Sequence, residues 1–127
     1  MATPQKGVPP SATDETARKG DVDATRLVTV SAQTAAYALV LTDAGKAVEI
    51  TSASAANVTV PPNSTVAFPI GTIIEVDQLG AGQVTLVAGS GVTLQSAGAL
   101  LKTRAQYSGV SLRKRAADTW LVVGDLA

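Results

Sequence analysis

From Leu27 onward the chain is a series of short β-branched runs, each stopped by a cluster of turn residues. The runs LVTV, YALVL, KAVEIT, NVTV, TVAF, TIIEVDQ, QVTLVA, VTLQS, LLKTRAQY, VSLRKR and TWLVV are separated by TDAG, PPN, PIG, LGAG, GSG and SG. Spacing of about 8 to 12 residues per strand, with no sustained helical periodicity, predicts an all-β domain. The architecture expected over residues 27–127 is a compact antiparallel β-sandwich or barrel. Alternation also assigns faces. In KAVEIT, Val48 and Ile50 point one way, opposite Glu49 and Thr51; in TIIEVDQ, Ile74 and Val76 lie opposite Glu75 and Asp77. The triplet Val-Thr-Val/Leu recurs at Val28, Val58, Val84 and Val92, but at irregular intervals, so it reads as a strand habit and not as a solenoid repeat.

Residues 1–26 differ. They hold three of the six prolines, and ATDETARKGDVDATR mixes charges of both signs with almost no large apolar residues. Such a segment cannot bury enough surface to offset its own ordering entropy. It is expected to be an extended attachment arm, with Arg18, Lys19, Asp21 and Asp23 as its partner-binding charges. Thr13 or Asp14 could cap one short helical turn that ends at Gly20.

Chemistry is limited by what is missing. The 127 residues contain no cysteine and no histidine, which removes disulfides, thiolate catalysis, the usual general base and the commonest transition-metal ligand. The start, MATPQKGVPP, has no apolar core segment, so neither a signal peptide nor a membrane anchor is expected, and synthesis in a cytoplasm is. Basic and acidic residues balance at 10 each, which gives no overall reason to bind nucleic acid or a membrane. Only 3% of residues are aromatic, so the core must be aliphatic, and burial against copies of the chain would supplement it.

The remaining motifs have plain structural readings. Gly80-Ala-Gly82 and Gly89-Ser-Gly91 precede β-runs and not helices, so they are expected to be hairpin turns and not phosphate loops. Asp21 and Asp23 are too few for a calcium cage. The Asn57 and Asn63 sequons carry no weight without a secretory signal. Paired-carboxylate catalysis is formally possible with Glu49, Glu75 and Asp77, but Glu75 and Asp77 stand two apart on one strand, as on a solvated face. Trp120, inside TWLVV, is expected in the core, and Tyr37 and Tyr107 at strand ends. No catalytic residue, cofactor or metal is expected.

One charge feature stands out. Between Gln78 and Ala117 there are five basic residues and no acid, all in LKTRAQYSGVSLRKR. If Ser108-Gly109 makes a two-residue hairpin turn, Arg104 faces Arg113 and Lys102 faces Arg115. Lys102, Arg104, Arg113 and Arg115 would then form one basic partner-binding face, with Leu101, Ala105, Tyr107, Val110 and Leu112 inside. Like charges opposed across strands are destabilising. The face is therefore either solvated, neutralised by the outward Glu75 and Asp77, or completed by acid on a neighbouring copy or a larger scaffold. Without interleaved aromatics it is a poor match for nucleic acid.

The stretch from Tyr37 to Leu126 resembles a β-domain common in tailed-bacteriophage virion proteins of the head-fibre, capsid-decoration and tail-fibre type. TVPPNSTVAFPIGT, GAGQVTLVAGSGV and the closing TWLVVGDL carry the resemblance. In the arm, ARKGDVDA resembles the Ala-Thr-Lys-x-Tyr-Val-Asp-Ala stretch that precedes fibre domains, except that Gly20 and Asp21 stand where that pattern has an aromatic. The resemblance implies a structural or adhesive β-domain, commonly homotrimeric, located on a virion and made in the host bacterial cytoplasm. A decoration or head-fibre protein held to the major capsid protein, or to another virion protein, by residues 1–26 fits best. Fully extended, that arm spans at most ~90 Å at ~3.4 Å per residue, enough to cross neighbouring capsid subunits. The alternative it implies is a tail-fibre or short adhesin module that binds host surface glycans.

Overall fold

The computed structural model describes residues 27–127. The arm residues Arg18, Lys19, Asp21 and Asp23, and the proposed helical turn before Gly20, lie outside the described residues. Nine strands follow in order: β1 (Val30–Gln33), β2 (Tyr37–Ala38), β3 (Ala47–Ile50), β4 (Ala56–Val60), β5 (Ile73–Gln78), β6 (Val84–Ala88), β7 (Thr93–Ser96), β8 (Gly109–Ala116) and β9 (Thr119–Gly124). The domain is all-β, with two short 3-10 turns at Leu41–Asp43 and Ala97–Ala99.

The pairing corrects the antiparallel expectation. One sheet has the order β1-β3-β5-β8-β9-β7 and the other β2-β4-β6, and both are open. The pairs β1–β3, β3–β5, β2–β4, β4–β6 and β7–β9 are parallel; β5–β8 and β8–β9 are antiparallel. From β1 to β6 the chain alternates between sheets, so each parallel return is bridged by a strand of the opposite sheet. Parallel neighbours need a long crossover, and here a strand supplies it where a helix usually would. The result is a short winding without a sequence repeat. The last two steps, Ala47 to Glu75 and Ala56 to Val84, are equal, while the earlier ones are shorter.

This winding also corrects the glycine turns. LGAG joins β5 to β6 across the two sheets and is not a hairpin. It lies directly on the preceding coil: the Gly80 amide donates to Ile50 O at 3.1 Å and the Gly82 amide to Ser52 O at 3.0 Å. A side chain at Gly82 would strike the Ser54 carbonyl, and one at Gly80 the Ser52 carbonyl, so glycine is required by coil-on-coil contact.

Alternation was a sound guide to the core. Val48, Ile50, Ile74, Val76, Val110, Leu112, Trp120 and Val122 of the larger sheet meet Ala56, Val58, Val60, Val84 and Leu86 of the smaller one in a single buried cluster. These side chains are covered by the chain's own two sheets. A neighbour would therefore act on the outer faces, not on this core. Two predicted strands are absent. TVAF belongs to the loop between β4 and β5, and LLKTRAQY contributes only isolated bridges, Thr85–Lys102 and Thr103–Leu126.

Candidate interaction face

The basic hairpin face does not form. Tyr107, expected inside, is 76% exposed and has a φ of 72°, at a turn where the Ser108 amide donates to Ala105 O. Strand β8 takes β5 and β9 as neighbours, and residues 101–103 run instead along β6. The Leu86 amide donates to Leu101 O and the Thr103 amide to Val84 O, while buried Thr103 hydroxyl donates to the Gln78 side-chain oxygen. The alternative would have stacked Arg104 on Arg113 and Lys102 on Arg115. The observed register avoids both oppositions.

The four basic residues therefore part company. Lys102 is beside β6. Arg104 makes a bidentate ion pair with Asp125, at 2.7 Å from Nε and 2.9 Å from Nη2. The neutralising acid is thus Asp125, not Glu75 or Asp77. The Arg104 guanidinium and the Ser108 hydroxyl, which donates to Oδ2 at 2.7 Å, hold the Asp125 carboxyl below its usual range. Arg113 and Arg115 remain together on β8, exposed on the outer face of the six-stranded sheet, where Arg115 Nη1 donates to Gln95 Oε1 at 2.6 Å.

That outer face also carries three carboxylates. Register places Glu49 beside Asp77, and Glu75 beside Ser111 and Ala47, so the three carboxylates form one block across β3 and β5. Gly109 is opposite Asp77, and a side chain there would come within 2.6 Å of Asp77 Oδ1, so its absence makes room for the carboxylate. Ile73 opposes Arg113, and Val123 opposes Ser111, which interleaves exposed apolar residues with the charges. At the sheet's far side a groove of about 300 Å³ is lined by Leu100, Leu121, Val123 and Leu126.

Crowding has an electrostatic consequence. Burial, hydrogen bonding to Glu75 and the charges of Glu75 and Glu49 push the Asp77 carboxyl up to about 7. A raised carboxyl in a folded chain binds its proton more tightly than the unfolded chain does. Its contribution to stability is present below about 4 and is lost as pH rises through about 7. Thermal stability should therefore decline between those values. Asp77→Asn should flatten that slope and melt higher than the parent at pH 8, where the parent carries the full repulsion. An unchanged slope in a melting series would refute this account.

Such an acid–base pairing of carboxyls is also what glycoside hydrolysis uses, but there the two groups stand apart to flank a sugar. Here Asp77 and Glu75 stand two residues apart on one strand, on an open sheet face. The three carboxylates do not converge as a cation cage either.

Trp120 is buried, as expected, and meets Phe68 edge to face at 5.5 Å. Tyr37 is half-buried, its hydroxyl donating to buried Asp43 at 2.7 Å. Sequence reasoning left Lys114 unassigned. It is 2% exposed and donates to Asn63 Oδ1 and to Phe68 O, each at 2.7 Å. The signal was available, because alternation in VSLRKR puts Lys114 on the side of Val110 and Leu112. Lys114 anchors the Pro-Pro-Asn loop, whose Asn63 amide also donates to Asp118 Oδ1 at 2.8 Å.

Comparison of the chain with protein-family models, with curated proteins and with solved structures finds no match.

Proposed function

We propose that this chain is a non-enzymatic structural protein of a tailed-bacteriophage particle, most simply a homotrimeric capsid-decoration or head-fibre protein. Residues 1–26 attach it to the major capsid protein or another virion protein. It is located on the virion after synthesis in the host bacterial cytoplasm, and it uses neither nucleic acid nor membrane as partner. The observation that carries this reading is the run of motifs from Tyr37 to Leu126 that resembles virion β-domains. Two facts support it. TVPPNSTVAFPIGT makes the loop pinned by Lys114 and Asn63, and GAGQVTLVAGSGV makes the turn-strand-turn around β6, so the shared motifs are structural ones. Residues of both sheets share one buried core, and the larger sheet leaves a charged outer face for contacts between molecules.

The test is removal of the arm. Residues 27–127 alone should fold and self-associate but show no binding to purified particles in a co-sedimentation assay. Full binding by the truncated chain overturns the attachment role.

A second reading, an adhesin that recognises host glycans, is favoured by one observation: Tyr107 presents its ring to solvent at a turn. It requires saturable binding to cell-wall polysaccharide that Tyr107→Ala abolishes, and absence of such binding removes it.

A further inference from the structure

The outer face of the six-stranded sheet holds charges of both signs that do not satisfy each other. Among the described residues the ion pair is Arg104–Asp125, away from this face's carboxylates. Glu75 stands opposite Ser111, Asp77 opposite Gly109, and Arg113 opposite Ile73. Acid and base are thus offset along the strands: Glu75 and Asp77 occupy the middle and the C-terminal part of β5, while Arg113 stands opposite its first residue, Ile73. Carboxylates crowded together without a cation, next to guanidinium groups without a carboxylate, make a surface complementary to itself. Around them Val30, Ile73 and Val123 are each about half exposed, so neutral area is available to be covered as well.

We propose that a second copy of this chain docks on this face, with Glu49, Glu75 and Asp77 of one copy meeting Arg113 and Arg115 of its neighbour. Each copy offers its acidic block to one neighbour and its basic block to another, so a closed ring of three uses every block once. The proposal rests on the reading of the chain as a self-associating particle component and names the surface that does it. Six strands at ~4.8 Å and five residues at ~3.3 Å give a projected face of roughly 500 Å², which a ring divides between two neighbours. That is below the ~800 Å² per partner of a standard interface. The contact therefore depends on its charge match, and salt weakens it. A neighbour's arginine would also relieve the repulsion among Glu49, Glu75 and Asp77.

The experiment uses the full chain in sedimentation velocity at about 0.05 M and about 1 M NaCl. The parent should self-associate at low salt and lose mass at high salt. Arg113→Glu with Arg115→Glu, and separately Glu49→Arg with Glu75→Arg, should each weaken association at least about tenfold. The chain carrying all four reversals should associate again, because opposite blocks once more face each other. Should either reversal prevent folding, Arg113→Gln with Arg115→Gln must give the same loss in a smaller degree. A parent of single-chain mass at every concentration overturns both the proposal and the homotrimer reading. A parent that associates equally well with its charges reversed, or a fourfold variant without rescue, overturns this face alone. Particle attachment through the arm is judged separately by the truncation.

Discussion

Lys114→Ala is expected to lower stability by about 4 kcal/mol, a fall in melting temperature of roughly 20 °C for a domain of this size. Among the described residues the buried ammonium has no carboxylate partner; its donors are met by Asn63 Oδ1 and Phe68 O, both at 2.7 Å. Truncation leaves those acceptors without a donor, the Phe68 carbonyl in a buried site and Asn63 in a partly buried one, at about 1 to 3 kcal/mol for a buried group. It also empties the space of three methylene groups and the ammonium. Lys114→Met separates the two effects, since it keeps the volume and loses only the bonds. It should recover about a third to a half of the loss. Asn63→Ala, which leaves the Phe68 bond intact, should cost about 2 kcal/mol. Denaturant melts of the three chains check the order. A Lys114→Ala chain as stable as its parent would show that the ammonium contributes nothing.

Trp120→Ala should cost about as much, roughly 3 to 5 kcal/mol, through lost burial and the cavity left behind. With one tryptophan, one phenylalanine and two tyrosines, the chain has no other ring of that size to fill the space. Trp120 is 1% exposed on β9, beside Leu94 of β7 and Lys114 of β8, and packs edge to face on Phe68. Phe68→Leu should cost less alone, and a double-mutant cycle should give about 1 kcal/mol of coupling for the ring pair. Because Phe68 lies in the loop after β4, its coupling to Trp120 measures how firmly that loop is held on the larger sheet. The intrinsic fluorescence of Trp120 reports unfolding without a label. Against a typical total of about 5 to 15 kcal/mol, either substitution removes a large fraction of the fold's margin.

The strands most easily read were those with one buried face. KAVEIT, NVTV, TIIEVDQ and QVTLVA alternate cleanly, and each became β3, β4, β5 or β6 with its aliphatic residues in the core. TVAF failed because alternation in a four-residue run cannot be told from a loop that buries one ring. There Phe68 is inside only because Trp120 and Lys114 receive it. LLKTRAQY failed for another reason. Thr103 and Leu101 have a strand's hydrogen bonds, but to β6, and the hairpin that would have paired them with β8 required like charges to face each other.

The candidate site was half legible. Opposite faces for Glu75 and Val76 followed from period two alone, and so did the shared side of Glu75 and Asp77. That Glu49 stands beside Asp77 did not follow, since it needs the parallel register of β3 on β5. Nor did the fate of Arg104, whose acid, Asp125, is 21 residues away in sequence.

The amino-acid sequence by itself determined that this chain makes β-strands, where most of them turn, which aliphatic residues of the clearly alternating strands are buried, and that histidine and cysteine chemistry is absent. These are properties of neighbouring residues: period two, glycine and proline conformations, and the identity of the side chains. Only the tertiary structure decided that the strands wind in parallel between two sheets, and that Arg113 and Arg115 share a face with three carboxylates while Lys102 and Arg104 do not. Pairing partners are chosen by competition among all registers at once. The winning set is the one that fills the core, keeps like charges apart and gives Lys114 its two acceptors, and no local pattern encodes that sum.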